Sequence, residues 1–263
     1  MTSGNAIGET PRKAFSNRPN YGIDAPGVVL RFFMIGIVGL IAGLSSILAL
    51  EKGVLPWARF VVAPALWMGG CYLVTAGVMI WGSKIGKLRL RDKLIGSIPW
   101  RGDEQVLDVG CGRGLMLIAT AKRLRSGRAT GIDIWRREDQ TGNSREATSQ
   151  NAQMENVSDR VALQDGDARK LPFTDNAFDV VISSWALHNI SDPTERRTAT
   201  REIIRVLKPG GRLAIVDIRH VPEYAQVLAE NQFANIVRSR PNFLFVIPTL
   251  VLTARKPSLP ATG

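Results

Sequence analysis

Three glycines and three aspartates between residues 108 and 167 stand at spacings that suit a nucleoside ligand. Gly110, Gly112 and Gly114 follow the apolar run Val106-Leu107-Asp108-Val109 and precede a helical pattern that begins at Leu115. A strand passing through such a turn into a helix offers backbone amides to a ligand, and side chains in the turn would block the approach. Asp133 ends the next apolar run, about 20 residues further on, where a carboxylate accepts hydrogen bonds from both hydroxyls of a ribose. Asp167 lies in Asp165-Gly166-Asp167-Ala168, after a third run, and suits an adenine amino group as its donor. A dinucleotide fingerprint needs glycine three places after Gly112, but Leu115 stands there, so the turn is Gly-x-Gly-x-Gly, one residue tighter.

A second group follows the fourth apolar run, in Ser183-Ser184-Trp185-Ala186-Leu187-His188-Asn189-Ile190. His188 is one of two histidines, and an imidazole can take a proton near neutral pH. Two readings stand for it: a general base, or a hydrogen-bonded residue that fixes the loop before the helix start at Asp192-Pro193. Both put it near an acceptor. His220, after the fifth run, reads as a surface turn. Cys71 and Cys111 make neither a disulfide framework nor a cysteine-rich metal cluster, and no metal is expected.

Holding these residues requires strands alternating with helices. Strands are expected at 105–109, 128–133, 161–163, 178–183 and 212–217, with helices at 115–125 and 194–207 between them. Pro209-Gly210-Gly211 stops the second of those helices. A helix over 224–230 and extended segments at 234–237 and 250–255 finish the chain. The pattern predicts an α/β fold, a Rossmann-like doubly wound and mainly parallel seven-stranded sheet covered on both faces.

In this order the residues resemble the class I S-adenosylmethionine-dependent methyltransferases. The resemblance covers roughly residues 88–257. It rests on 106–114, Gly131-Ile132-Asp133, Asp165-Gly166-Asp167-Ala168 with Leu171-Pro172-Phe173, Phe178-Asp179-Val180-Val181, and 205–213. It implies S-adenosyl-L-methionine as cofactor, with Asp133 on the ribose and Asp167 with Ala168 at the adenine. Gly110, Gly112 and Gly114 would carry the methionine portion, Asp108 would support that loop and the cofactor's amino-acid end, and Ser183 would face the methionine end. Methyl transfer from a sulfonium is a displacement that needs an in-line nucleophile and no metal, and positioning can supply ~7–11 kcal/mol of its barrier. The departure from the family is the stretch 134–143 after Asp133. Trp135 there either stacks over the adenine or caps the stretch against the core, while Arg136 and Arg137 read as a solvated pair.

The front of the chain is of another kind. Uncharged runs of 19 residues from Phe32 to Leu50 and 23 from Phe60 to Gly82 are each long enough to span a bilayer core of ~30 Å. Gly36, Gly39 and Gly43 would let two helices approach closely. Arg12, Lys13, Arg18 and Arg31 precede the first run; Lys84, Lys87, Arg89, Arg91 and Lys93 follow the second; the connector has Lys52 and Arg59. This asymmetry puts both flanks, and the domain behind them, on the cytoplasmic side. The expected division is a cytoplasmic tail (1–27), a two-span transmembrane hairpin (28–83), a basic juxtamembrane linker (84–101), the methyltransferase domain (102–257) and a short tail (258–263).

Of the net charge of +11, residues 1–101 hold 12 basic and 4 acidic groups, so the excess belongs mainly to the membrane flanks. With no basic, aromatic-interleaved extension, nucleic acid is not an expected partner. The expected partners are membrane lipids and a lipophilic small-molecule acceptor: a quinone or other prenylated ring, a sterol-like lipid, or a phospholipid. Two alternatives stay open, a soluble acceptor with the hairpin as address only, and an inactive membrane-tethered nucleoside-binding scaffold. The apolar run Phe243 to Ile247 is expected as strand, or as a lip against the membrane.

Overall fold

The computed structural model describes residues 19–136, 138–243 and 247–258. Arg12, Lys13, Arg18, Arg137 and Leu244 to Val246 lie outside them. Two helices, α1 (Pro26–Glu51) and α2 (Arg59–Trp81), form an antiparallel hairpin. Its glycines set the spacing: a β-carbon on Gly39 would lie 2.9 Å from Gly69 Cα, and one on Gly69 only 2.8 Å from the Leu40 amide nitrogen. Val29, Ala76 and Met79 form a small buried cluster, while most other large apolar side chains point outward, Val38 being 61% and Trp67 75% exposed. Both helices are long and apolar enough to cross a membrane, and only 11% of the most apolar window of each is buried.

Helix α2 does not end at its basic flank. A π-helical turn, Gly82–Gly86, carries it into α3 (Lys87–Ser97). The segment 84–101, expected as a linker, is therefore mostly helix. Leu90, Leu94, Ile95 and Ile98 recur at helical spacing and bury themselves with Leu115 and Ile118 of the domain. Within the segment 1–27, expected as a cytoplasmic tail, residues 20–24 pack on the domain. Tyr21 is buried there and its hydroxyl donates to Glu155.

The domain's strands are β1 (Gln105–Val109), β2 (Arg128–Asp133), β3 (Val161–Asp165), β4 (Phe178–Ser184), β5 (Leu207–Asp217), β6 (Ala234–Arg238) and β7 (Leu250–Arg255). They form one sheet in the order β3-β2-β1-β4-β5-β7-β6, with β7 alone antiparallel to its neighbours. Strand β5 begins earlier than expected. Leu207 already pairs with Phe178, and the Pro209-Gly210-Gly211 stop is absorbed as an irregularity before Arg212 pairs with Val180.

Side chains alternate between two cores, as the period of two requires. Leu107, Val109, Val181, Leu213 and Ile215 meet helices α6 (Pro193–Val206) and α7 (Val221–Glu230) on one face. Val106, Val180, Ile182 and Ala214 meet α3 and α4 (Leu115–Ala121) on the other. Two helix starts are fixed by side chains that accept otherwise unpaired amides: Ser144 caps α5 (Arg145–Met154) through the Ala147 amide, and Asp192 caps α6 through Glu195.

Candidate active site

The carboxyl ends of β1, β2 and β4 open onto a cavity of about 220 Å³. Strands β2 and β3 lie on one side of β1, and β4 onward on the other, so the crevice forms where the winding of the sheet reverses. Gly110, Gly112, Asp133, Asp167 and Ala168 all line it. Gly110 has φ +72°, and a β-carbon there would meet Ala186 Cβ at 2.2 Å, so only glycine lets the turn pass beneath the loop after β4. Gly114 starts α4 behind the cavity wall.

Asp133 ties the turn to β2. Its Oδ2 accepts the Gly112 amide at 2.8 Å and its Oδ1 the Trp135 amide at 2.6 Å. Each oxygen keeps a lone pair for a ligand. Asp167 is gripped through both oxygens by Arg169, which also reaches Glu195, and those hydrogen bonds hold its carboxyl below the ordinary range. An adenine amino group would share this carboxylate with Arg169. Asp139, across the cavity, has its carboxyl pushed up by burial.

Asp108 and Ser183 lie behind the wall rather than on it. Ser183 Oγ donates to the Val109 carbonyl at 2.9 Å. Asp108 is fully buried and neither of its oxygens has a well-formed hydrogen bond among the described residues. Burial, opposed by the Leu117 backbone amide and reinforced by Asp133, pushes its pKa up to about 7. The close approach that Gly110 and Gly112 allow, and the lone pairs left on Asp133 at the wall, are what a nucleoside would use, so the residues present fit S-adenosylmethionine.

His188 does not line the cavity, although its neighbours Leu187 and Asn189 do. Its imidazole turns toward Asp217 at the end of β5, with Nδ1 2.5 Å from Oδ1, within ion-pair reach but not aligned as a hydrogen bond. Asp217 is buried and accepts the His188 amide at 3.1 Å, the Tyr224 hydroxyl at 3.2 Å and the Ile218 amide at 2.8 Å. Burial and the charge of Asp217 hold the Tyr224 phenol above its usual range. A carboxylate at Nδ1 favours the tautomer protonated there and leaves Nε2 as the acceptor. The same contact also fixes the loop. Trp135 donates from Nε1 to Asp165 at 2.7 Å and packs on the core, off the cavity wall. His220 stands at the start of α7, with Nδ1 3.8 Å from Glu223.

Sequence reasoning missed several wall residues, Asp24, Lys87, Gln140, Arg169 and Glu195 among them, and the His188 partner Asp217. An acid at the carboxyl end of a sheet strand was a usable signal for Asp217. The apolar stripe Leu90-Leu94-Ile95-Ile98 was one for the docking of α3. Among the described residues no group of three or more His, Cys, Asp or Glu is arranged to hold a metal.

Residues 107–215 match the family model described as a methyltransferase domain. A 27-O-demethylrifamycin SV methyltransferase of Amycolatopsis mediterranei is 38% identical over 144 residues, 54% of this chain and 48% of that protein. A demethylmenaquinone methyltransferase of Lactiplantibacillus plantarum is 36% identical over 128 residues, 48% of this chain and 50% of that protein. The chain thus spans about half the length of the curated relatives it matches. Among solved structures, that of the cyclase SpnF aligns with a TM-score of 0.54 at 23% identity, covering 65% of this chain and 81% of its own. At that identity the likeness is one of fold alone.

Proposed function

We propose that this methyltransferase domain works as a membrane-anchored enzyme that moves a methyl group from S-adenosyl-L-methionine to a lipophilic acceptor. Quinones and other prenylated rings, sterol-like lipids and phospholipids are the candidate class. The observation that carries the reading is the cavity wall itself: the glycine turn and Asp133 form one side, and Asp24 and Lys87, at the root of the apolar hairpin, form another. A relative named for demethylmenaquinone supports a ring acceptor of the quinone type. The exposed apolar faces of α1 and α2 support a bilayer, because a helix of a soluble core would be mostly buried. The basic flanks support a cytoplasmic domain.

Bound in the cavity, S-adenosylmethionine supplies an electrophilic methyl group. The chain's residues do the rest. Gly110 and Gly112 let the backbone come close, Asp133 accepts from the ribose, and Asp108 holds the amino-acid end through the turn. His188, oriented by Asp217, is the candidate base for a carbon or phenolic acceptor whose proton must leave, and such a base contributes ~10²–10⁴ in rate.

The test uses full-length protein in lipid nanodiscs. Calorimetry with S-adenosylmethionine should show binding. Mass spectrometry of a membrane-lipid extract should then show a gain of one methyl group, lost in Asp217→Asn while cofactor affinity holds within twofold. Absence of binding would overturn the cofactor reading. Methylation of a soluble panel with none of the lipid extract would make the hairpin an address only. For topology, cysteine accessibility in the 51–59 connector and near the C-terminus should report opposite sides of the membrane.

A further inference from the structure

Lys87 is the first residue of α3, one turn below the apolar part of α2, yet its side chain is only 1% exposed. Its ammonium donates to the Tyr21 carbonyl at 2.7 Å, the Gly22 carbonyl at 3.1 Å and Asp24 Oδ2 at 2.9 Å, so all three protons are placed. Ser83, buried in the π-helical turn, accepts the Asp24 amide at 3.1 Å. Residues 21–24 are thereby strapped to the hairpin root. From the strap the path continues: Gln140 Nε2 donates to Asp24 Oδ1 at 3.0 Å and to the Tyr21 carbonyl at 2.9 Å. Gln140 Oε1 then accepts the amide of Arg113, inside the glycine turn, at 3.1 Å. Arg113 returns the contact, donating from Nε to the Asn20 carbonyl at 2.6 Å and from Nη1 to the Gly142 carbonyl at 2.7 Å.

We propose that Lys87 is a positioning residue for the amino-acid end of the cofactor, acting through Asp24 and Gln140 on the glycine turn. The stretch 134–143 is then the connecting link between hairpin and turn. The argument is one of desolvated charge. A buried ammonium and a part-buried carboxylate are tolerated only in a fixed geometry, so the pair holds the strap in one place, and the strap holds Gln140 against the turn. Both Lys87 and Asp24 also line the cavity, which puts the link at the ligand rather than at a remote face. This inference rests on the cofactor reading above, and its test separates the two.

Full-length protein in nanodiscs is titrated with S-adenosylmethionine and with methylthioadenosine, which lacks the amino-acid arm. Binding of S-adenosylmethionine by the unaltered chain establishes the cofactor reading; its absence would sink that reading and leave nothing to position. Given binding, Lys87→Met and Gln140→Leu should each weaken S-adenosylmethionine about tenfold and methylthioadenosine less than twofold. The double variant should be little worse than either single one, because both cut one path. A structural loss without positioning would weaken both ligands alike. Gln140 is only half-buried, so Gln140→Leu decides the matter if Lys87→Met does not fold. Unchanged S-adenosylmethionine affinity in folded Gln140→Leu, or equal loss of both ligands, would overturn the proposal.

Discussion

In α1 and α2 the apolar side chains face outward all around the pair, Val38, Ile41 and Trp67 among them, whereas Leu107, Val181 and Ile215 of the sheet are fully sealed from solvent. The residue types are nearly the same. What differs is the pattern: the sheet alternates its apolar residues between two cores, while the hairpin is apolar on every side and keeps only a narrow seam, built on Gly36, Gly39, Gly43 and Gly69, between its helices. A two-period pattern asks for cover from protein, and an all-round pattern asks for an apolar solvent.

The strongest way to break this contrast is to charge the outward face. Val38→Asp with Ile41→Asp should cost about 2.5–3.5 kcal/mol per residue if those positions sit deep in a bilayer, and should move the full-length protein out of the carbonate-resistant membrane fraction. Retention unchanged by two aspartates would mean that this face does not meet lipid. Next in size is a matched pair of truncations. Ile215→Ala should destabilise the domain by about 2–5 kcal/mol in urea titrations in micelles, whereas Ile41→Ala should change it by less than about 0.5 kcal/mol. Equal costs would erase the distinction between the two regions.

Asp133→Ala sharpens the domain side. Losing a charged acceptor for the ribose should weaken S-adenosylmethionine by about 1.5–3 kcal/mol by calorimetry, with the fold retained. Unchanged affinity would remove Asp133 from the ribose. The smallest effect, taken per pH unit, is one of pH. Asp108 titrates near 4 when unfolded and at about 7 when folded, so between those values unfolding releases a proton. Stability is full below the unfolded value and declines as pH rises toward 7, by up to ~1.4 kcal/mol per pH unit, then levels off. Ligand-free Asp108→Asn should show a flatter urea midpoint between pH 4.5 and 7.5. Parallel profiles would mean that the buried carboxyl is ionised throughout.

The sheet, its order of elements and the glycine turn were legible because each is written locally: alternation for strands, a Gly-x-Gly-x-Gly turn between strand and helix, an acid at the end of β2. Lys87 was not. Within the basic run 84–93 it reads as one more membrane flank, and only its burial, sealed by contacts 63 to 66 residues away, distinguishes it from the exposed Lys84 and Lys93. Residues 20–24 were illegible for the same reason, since a short polar stretch carries no period. One consequence is practical. The cofactor groups named from sequence lie within 106–190, but the cavity wall reaches back to Asp24, so deleting residues 1–83 would remove part of the site together with the hairpin. The single changes at Lys87 and Gln140 are the cleaner cut.

The π-helical turn between α2 and α3 also has a meaning as a phase setting. A helix advances about 100° per residue, and a π turn accommodates one residue more than a regular turn would. Gly82–Gly86 therefore rotates everything after it relative to everything before it. Through that offset α2 can present Gly69 to α1 while α3 presents Lys87 to the strap and Leu90 and Leu94 to the domain. A deletion of one residue in this turn would leave a regular turn and keep the phase of the helices on either side. The same residues wound as a regular helix would instead turn the lysine and the apolar stripe away from their partners by roughly a quarter of a revolution. The angular register of one helix, rather than its reach, is what joins the two halves of this molecule.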